Sequence, residues 1–169
     1  MPKIIEEPEL RLSEEARRQV EENGYGSLTI RSVAKACGVG VGTVYNYFPS
    51  KESLAASYML RDWKSCYAVL CSRCAGAQDA KAALFAVYDQ LRSFRKAHSG
   101  LFRDEDAKGS FSAFSGKFHA RLRQELAVPL RSLCADDFTA EFLAEALLTW
   151  AVDGQEFEPL YSVLAKIVV

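Results

Sequence analysis

Apolar residues recur at helical spacing along almost the whole chain, and no run alternates with period two for long enough to make a convincing strand. An all-α fold is the expectation. Leu12, Ala16 and Val20 share one stripe of a first helix that starts near Pro8, a residue tolerated in the first turn, and stops around Asn23-Gly24. Glu14, Glu15, Arg17, Arg18, Glu21 and Glu22 fill its other face as a solvated surface. Thr29 then offers an N-cap, with Leu28 before it and Val33 at the fourth helical position, the spacing of a hydrophobic staple. A short helix follows from Ile30 to Cys37, and Gly38 supplies its stop because a left-handed residue past a helix end costs glycine nothing. Val39 and Val44 repeat the staple around Gly40 and predict a third helix from Val41 to about Tyr47. Two short helices joined by a tight glycine-containing turn are a helix-turn-helix.

Pro49 blocks continuation of that unit, and Ser50 caps a long fourth helix reaching about Cys74. Beyond Gly76 the spacing predicts helices from Asp79 to Ala97, Leu101 to Lys108, Phe111 to Leu133, Asp136 to Val152 and Phe157 to Val168. Pro129 falls inside one of them and is expected to kink or split it near Val128.

A chain of 169 residues that is 49% hydrophobic and 25% charged has the composition of a globular protein with a real core, one domain or a small module joined to a larger one. Its net charge of -1 excludes a protein that coats nucleic acid indiscriminately, which needs a large excess of Lys and Arg. The distribution of charge is uneven, however. From Leu28 to Lys51 there is no Asp or Glu, and Arg31, Lys35 and Lys51 are the only charges. A surface made from this window does not repel a polyanion, and DNA is the obvious candidate. No apolar run approaches a membrane span and the opening "MPKIIEEPEL" lacks the apolar core of a signal peptide, so a cytoplasmic location is expected. Cys37, Cys66, Cys71, Cys74 and Cys134 form an odd set that fits reduced thiols, and with only His98 and His119 beside them no metal site is expected. Nothing in the sequence pairs a nucleophile with a base or forms a phosphate loop, so neither enzyme activity nor a cofactor is expected.

In a DNA-binding helix-turn-helix the second helix enters the major groove. Here it reads "VGTVYNYF": Val44 and Phe48, four apart, anchor one face in the core and leave Thr43, Tyr45, Asn46 and Tyr47 to share the other directions. Gly42 removes a side chain where close backbone approach helps. The pattern T-x-R-x-x-A-x-x-x-G-V-x-x-G-T-x-Y-x-Y-F-x-S-K, from Thr29 to Lys51, resembles the DNA-binding signature of the tetracycline repressor (TetR) family of bacterial regulators, with "NGY" at Asn23 to Tyr25 also in place. The resemblance implies an all-helical homodimer with an N-terminal three-helix DNA-binding domain, residues 1–50, and a C-terminal helical effector-binding and dimerisation domain, residues 51–169. It further implies that Arg31 reaches toward a base edge, that Thr43 and Tyr45 make recognition-helix contacts, and that Thr29, Tyr47 and Lys51 meet phosphates. Packing of Tyr45 within its own domain is the alternative for that residue. Two departures are visible: Gly40 and Val41 stand where many members carry a capping Ser or Thr and a polar contact, and "EEPE" replaces a basic arm. A modest, strongly salt-dependent affinity is expected.

The C-terminal part is less specific. Trp63, Tyr67, Phe85, Tyr88, Phe102, Phe114 and Phe118 belong to an aromatic-rich set that either packs an ordinary core or lines a pocket for a small apolar or aromatic effector. Phe138, Phe142, Ala146 and Trp150 repeat at four-residue spacing, and Phe157, Tyr161 and Leu164 form a second stripe. These two stripes either close the chain's own core or make a four-helix dimer interface. The expected function is a ligand-responsive transcriptional regulator, a repressor released from a near-palindromic operator. The alternative is a helical dimeric interaction protein of the same fold that has lost sequence-specific DNA binding.

Overall fold

The computed structural model describes residues 7–102 and 112–169, apart from the side chains of residues 102 and 112–115. Every element among the described residues is helical: α1 (Pro8–Asn23), α2 (Ile30–Cys37), α3 (Val41–Tyr47), α4 (Lys51–Ala75), α5 (Ala80–Ala97), α6 (Ser99–Phe102), α7 (Ser112–Leu130), α8 (Asp137–Val152) and α9 (Phe157–Leu164), with short 3-10 turns at Tyr25–Ser27 and Arg131–Leu133. The expected helix over 101–108 lies beyond Phe102 largely outside the described residues, as does Phe111. None of the described helices is long and apolar enough to cross a membrane.

The chain forms two compact units. In the first, residues 1–62 with 98–114, α1 packs on α2 and α2 on α3. Leu12, Ala16 and Val20 of α1 meet a core of Leu28, Val33, Ala34, Val44 and Phe48, closed by Leu54, Ala55, Tyr58 and Met59 from the first turns of α4. Leu28 and Val33 of the first expected staple are both fully buried, whereas in the second Val44 is fully buried and Val39 only half-buried. In the second unit, residues 63–97 with 115–169, α5, α8 and α9 pack on one another around Leu84, Val87, Leu91, Leu143, Leu147, Leu160 and Leu164.

Several boundaries differ from the sequence expectation, α6 beginning at Ser99, two residues before the expected Leu101, among them. Of the expected kink or split near Val128, the split does not occur: α7 continues through Pro129 to Leu130 and then tightens into the 3-10 turn. Proline at 129 removes the N–H that would reach the Glu125 carbonyl. That carbonyl accepts instead from the Tyr67 hydroxyl at 3.0 Å, so the helix loses a backbone bond without orphaning an acceptor. At the other end α9 stops at Leu164, four residues before the expected Val168. The chain there turns on bonds such as Val168 N–H to the Leu164 carbonyl, and the Val169 N–H donates to the Leu133 carbonyl at 3.1 Å.

Candidate nucleic-acid interface

Local capping chemistry holds α2 and α3 in place. The Thr29 hydroxyl accepts from the Ser32 N–H at 3.0 Å and the Ser32 hydroxyl accepts from the Thr29 N–H at 3.2 Å, a reciprocal box that satisfies two donors at the start of α2. Ser32 also donates to Gln19 of α1 at 2.6 Å, tying the cap to the neighbouring helix. Gly38 ends α2 in the left-handed region at φ 69°, and the Val39 N–H closes back on the Ala34 carbonyl at 2.9 Å. Gly40 then precedes α3 in an extended conformation with no side-chain cap, as its lack of a hydroxyl dictates.

This geometry divides the residues of α3 by direction. Val44 is buried and Phe48 nearly so, while Gly42, Tyr45, Asn46 and Tyr47 are exposed and Thr43 is half-buried. Tyr45 keeps 52% of its surface open, so the exposed ring is available to a partner and is not core packing. Arg31 and Lys35 on α2 are exposed and make no ion pair among the described residues. The contrast with α1 is informative. There Arg17 binds Glu21 at 2.8 Å and Asp62 at 3.1 Å, and Arg18 binds Glu15 at 2.7 Å and Glu22 at 2.6 Å, so those cations are already neutralised by their neighbours.

Lys51, at the start of α4, is placed by the 3-10 turn before α2. Its Nζ lies 4.1 Å from the centroid of the Tyr25 ring and donates to the Gly26 carbonyl at 3.4 Å. Ser50 caps α4, its hydroxyl accepting from the Ser53 N–H at 3.1 Å. Glu52, the first acid after the acid-free window, is drawn onto the Tyr25 hydroxyl at 3.3 Å. Burial pushes its carboxyl up, yet its own backbone amide, Ser50, Tyr25 and the Lys51 charge outweigh that and leave it below the usual range. The first carboxylate after the window in sequence is thus engaged with Tyr25.

In the second unit the aromatic side chains fall into two groups. Trp63 is fully buried, edge-on to Phe94 at 5.4 Å and to Phe118 at 6.4 Å, with Tyr67 6.0 Å away. Phe85 and Tyr88 instead join Phe157 and Tyr161, with Phe85 to Phe157 at 5.1 Å. The side chains of Phe102 and Phe114 lie outside the described residues. The sequence had no signal for Glu125, whose carboxylate receives the Trp63 indole N–H and the Arg121 guanidinium at 2.7 Å. Sixty-two positions separate Trp63 from Glu125, and no periodicity joins them. Burial and the hydrogen bond to Cys71 push the Tyr67 phenol up to about 12.

The two terminal stripes also divide. Phe138 and Phe142 are 79% and 49% exposed, and Ala146, Trp150 and Tyr161 are half-buried. Phe157 and Leu164 are buried within this unit. Among the described residues no three His, Cys, Asp or Glu side chains gather as metal ligands. His98 instead meets Asp62 at 3.1 Å and His119 meets Glu145 at 2.9 Å. Burial raises the Cys37, Cys66, Cys74 and Cys134 thiols, Cys74 to about 11, which opposes the thiolate that redox chemistry needs.

Residues 12–58, which hold the whole capped α2–α3 unit, match the model of the bacterial regulatory proteins, tetR family. Over those residues the chain is similar to the DNA-binding region of tetR-family proteins. The HTH-type transcriptional regulator UidR of Escherichia coli is 36% identical over 52 residues, 31% of this chain and 26% of UidR. The HTH-type transcriptional repressor KstR of Rhodococcus jostii is 42% identical over 43 residues, 25% of this chain and 20% of KstR. The match thus spans about a quarter of the curated relatives' length. Similarity of fold extends much further than residues 12–58. The TetR family repressor AlkX from Dietzia sp., implicated in biodegradation of n-alkanes, superposes with a TM-score of 0.64 at 18% identity, over 95% of this chain and 96% of AlkX. RolR in complex with resorcinol superposes with a TM-score of 0.59 at 19% identity, over 93% of this chain and 83% of RolR. Both units therefore have the all-helical fold of tetR-family proteins.

Proposed function

We propose that the chain is a DNA-binding transcriptional regulator, a repressor that holds a near-palindromic operator as a homodimer and is released by a small apolar or aromatic effector. The observation that carries this reading is the face made by α2 and α3. It is free of carboxylates from Leu28 to Lys51, carries Arg31 and Lys35 without ion pairs among the described residues, and exposes Tyr45, Asn46 and Tyr47. In this reading Arg31, Thr43 and Tyr45 read bases, while Thr29, Tyr47 and Lys51 position the domain on phosphates. Residues 1–50 bind DNA and residues 51–169 bind the effector and the second copy.

Two features support the division of labour. Phe138 and Phe142 leave on α8 an apolar surface that a second copy would cover, and a twofold dimer presents two recognition helices to half-sites roughly one helical turn apart. The Trp63–Tyr67–Phe118 group offers an aromatic wall with the Glu125 carboxylate beside it, chemistry suited to an aromatic ligand with a hydrogen-bond donor. RolR was crystallised with resorcinol, a ligand of that kind. Selection of duplexes from a random-sequence library by the wild-type chain tests the reading: enrichment of one near-palindrome is expected, and enrichment of nothing would refute it.

A further inference from the structure

The open stripe of α8 does not end at its rings. Beyond Phe138 and Phe142, Glu145 and Thr149 continue it at the three- and four-residue spacing that keeps side chains on one helix face. Both Glu145 carboxylate oxygens meet the His119 Nε2 of α7, at 2.9 and 3.0 Å. The Thr149 hydroxyl donates to the same carboxylate at 3.2 Å, and a guanidinium nitrogen of Arg123 stands 3.8 Å away. The side chains of His119, Arg123 and Glu145 keep 40%, 38% and 40% of their surface open. Arg123 Nε is a buried donor with no acceptor among the described residues, so this cation is only partly met. Elsewhere on α7, Arg121 is held by Glu125 at 2.7 Å, and α4 and α5 reach the helix through Trp63, Tyr67 and Phe94 at Glu125 and Phe118. Glu141, one turn before Glu145 on α8, is exposed. The charges facing His119 are therefore Glu145 and, across it, Arg123.

We propose that this polar set is closed between two copies of the chain together with Phe138 and Phe142, and that protonation of His119 loosens the homodimer in mild acid. The inference rests on the dimer reading and adds to it a means of regulation. Charge selects a second copy as the occupant. With a neutral imidazole the set holds one carboxylate against one guanidinium, so two such faces meet without surplus charge beside the open rings. A twofold interface brings the same set from both copies. A proton on each His119 leaves one positive charge in excess per copy, which the interface then has to desolvate and hold against its like. The tighter His119–Glu145 pair that protonation makes exists in the separate chain as well, so it does not offset this cost.

The test is sedimentation equilibrium of the full chain from about pH 8 to about pH 5 at constant ionic strength, with helix content followed by circular dichroism. The dimer dissociation constant of wild type should rise roughly tenfold or more across this range while helix content holds, and added salt should recover part of the loss. His119→Gln, which keeps a donor for Glu145 and leaves His98 in place, should show no such rise. Glu145→Gln leaves Arg123 in excess and should weaken the dimer already at pH 8. A wild-type constant indifferent to pH would overturn the inference and leave the dimer standing. A rise that persists in His119→Gln, a Glu145→Gln dimer as tight as wild type at pH 8, or helix loss in step with dissociation would also overturn it. A wild-type chain that is monomeric at every pH would overturn the dimer reading and this inference with it.

Discussion

Arg31 and Lys51 are both cations of the candidate interface, yet their surroundings differ. Arg31 is exposed on α2 with no ion pair among the described residues, free to present its planar guanidinium to a base edge. Lys51 is held over the Tyr25 ring and beside the Gly26 carbonyl, a fixed point charge at the start of α4. Arg31→Ala or Thr43→Ala should therefore change which sequences are preferred, costing about 1–3 kcal/mol at the affected position. Lys51→Ala should weaken all duplexes alike and reduce the salt slope by about one unit. Competition binding across single-base variants of a selected site distinguishes the two, and a change of preference from Lys51→Ala alone would reverse the assignment. The same variant should also lose about 0.5–1 kcal/mol of stability with its cation–π contact.

Helices α1 to α4 were legible because their ends are set by neighbours in sequence. Thr29 with Ser32, Ser50 with Ser53 and the left-handed Gly38 each act within a few residues. The path of α7 past Pro129 was not legible, because the group that makes it tolerable, the Tyr67 hydroxyl, comes from another helix. Tyr67→Phe should leave the Glu125 carbonyl without its donor and cost about 1–3 kcal/mol. In a Pro129→Ala background the restored N–H can serve that carbonyl, so the same substitution should cost much less. Equal costs in the two backgrounds, measured by denaturant unfolding, would exclude the compensation. The cap of α8 gives a pH prediction. Hydrogen bonds from the Thr139 and Phe138 amides hold the Asp136 carboxyl below the usual range. A depressed folded pKa means stability that is present above the unfolded value and lost as pH falls through the folded one. Asp136→Ala should thus be less stable than wild type near neutral pH, and the difference should shrink on acidification as the wild-type cap is protonated. A difference that stays constant into strong acid would show that the carboxylate charge plays no part.

For the whole molecule, the α2–α3 face was readable from charge and spacing, whereas the effector chemistry was not. The expected aromatic set divides into the Trp63 group and the Phe85 group, and Phe157 of the expected interface packs into the latter. What remains open on α8 is Phe138 and Phe142. Replacing both with serine should convert a dimer into a monomer in sedimentation and abolish the preference for a palindrome over a single half-site. A monomeric wild-type chain at micromolar concentration would contradict the dimer directly. If the proposed effector exists, it should lower DNA affinity about 5- to 150-fold and DNA should lower effector affinity by the same factor, which calorimetry with and without the selected duplex checks. The most direct test of the central claim, that the acid-free face of α2 and α3 binds duplex DNA, is the affinity of the wild-type chain for its selected duplex as a function of salt. A steep fall, each phosphate contact adding a log–log slope of about -0.9 and the slope easing by about one unit in Lys51→Ala, is the predicted result. An affinity indifferent to salt, or unchanged in slope when Lys51 is removed, would contradict it.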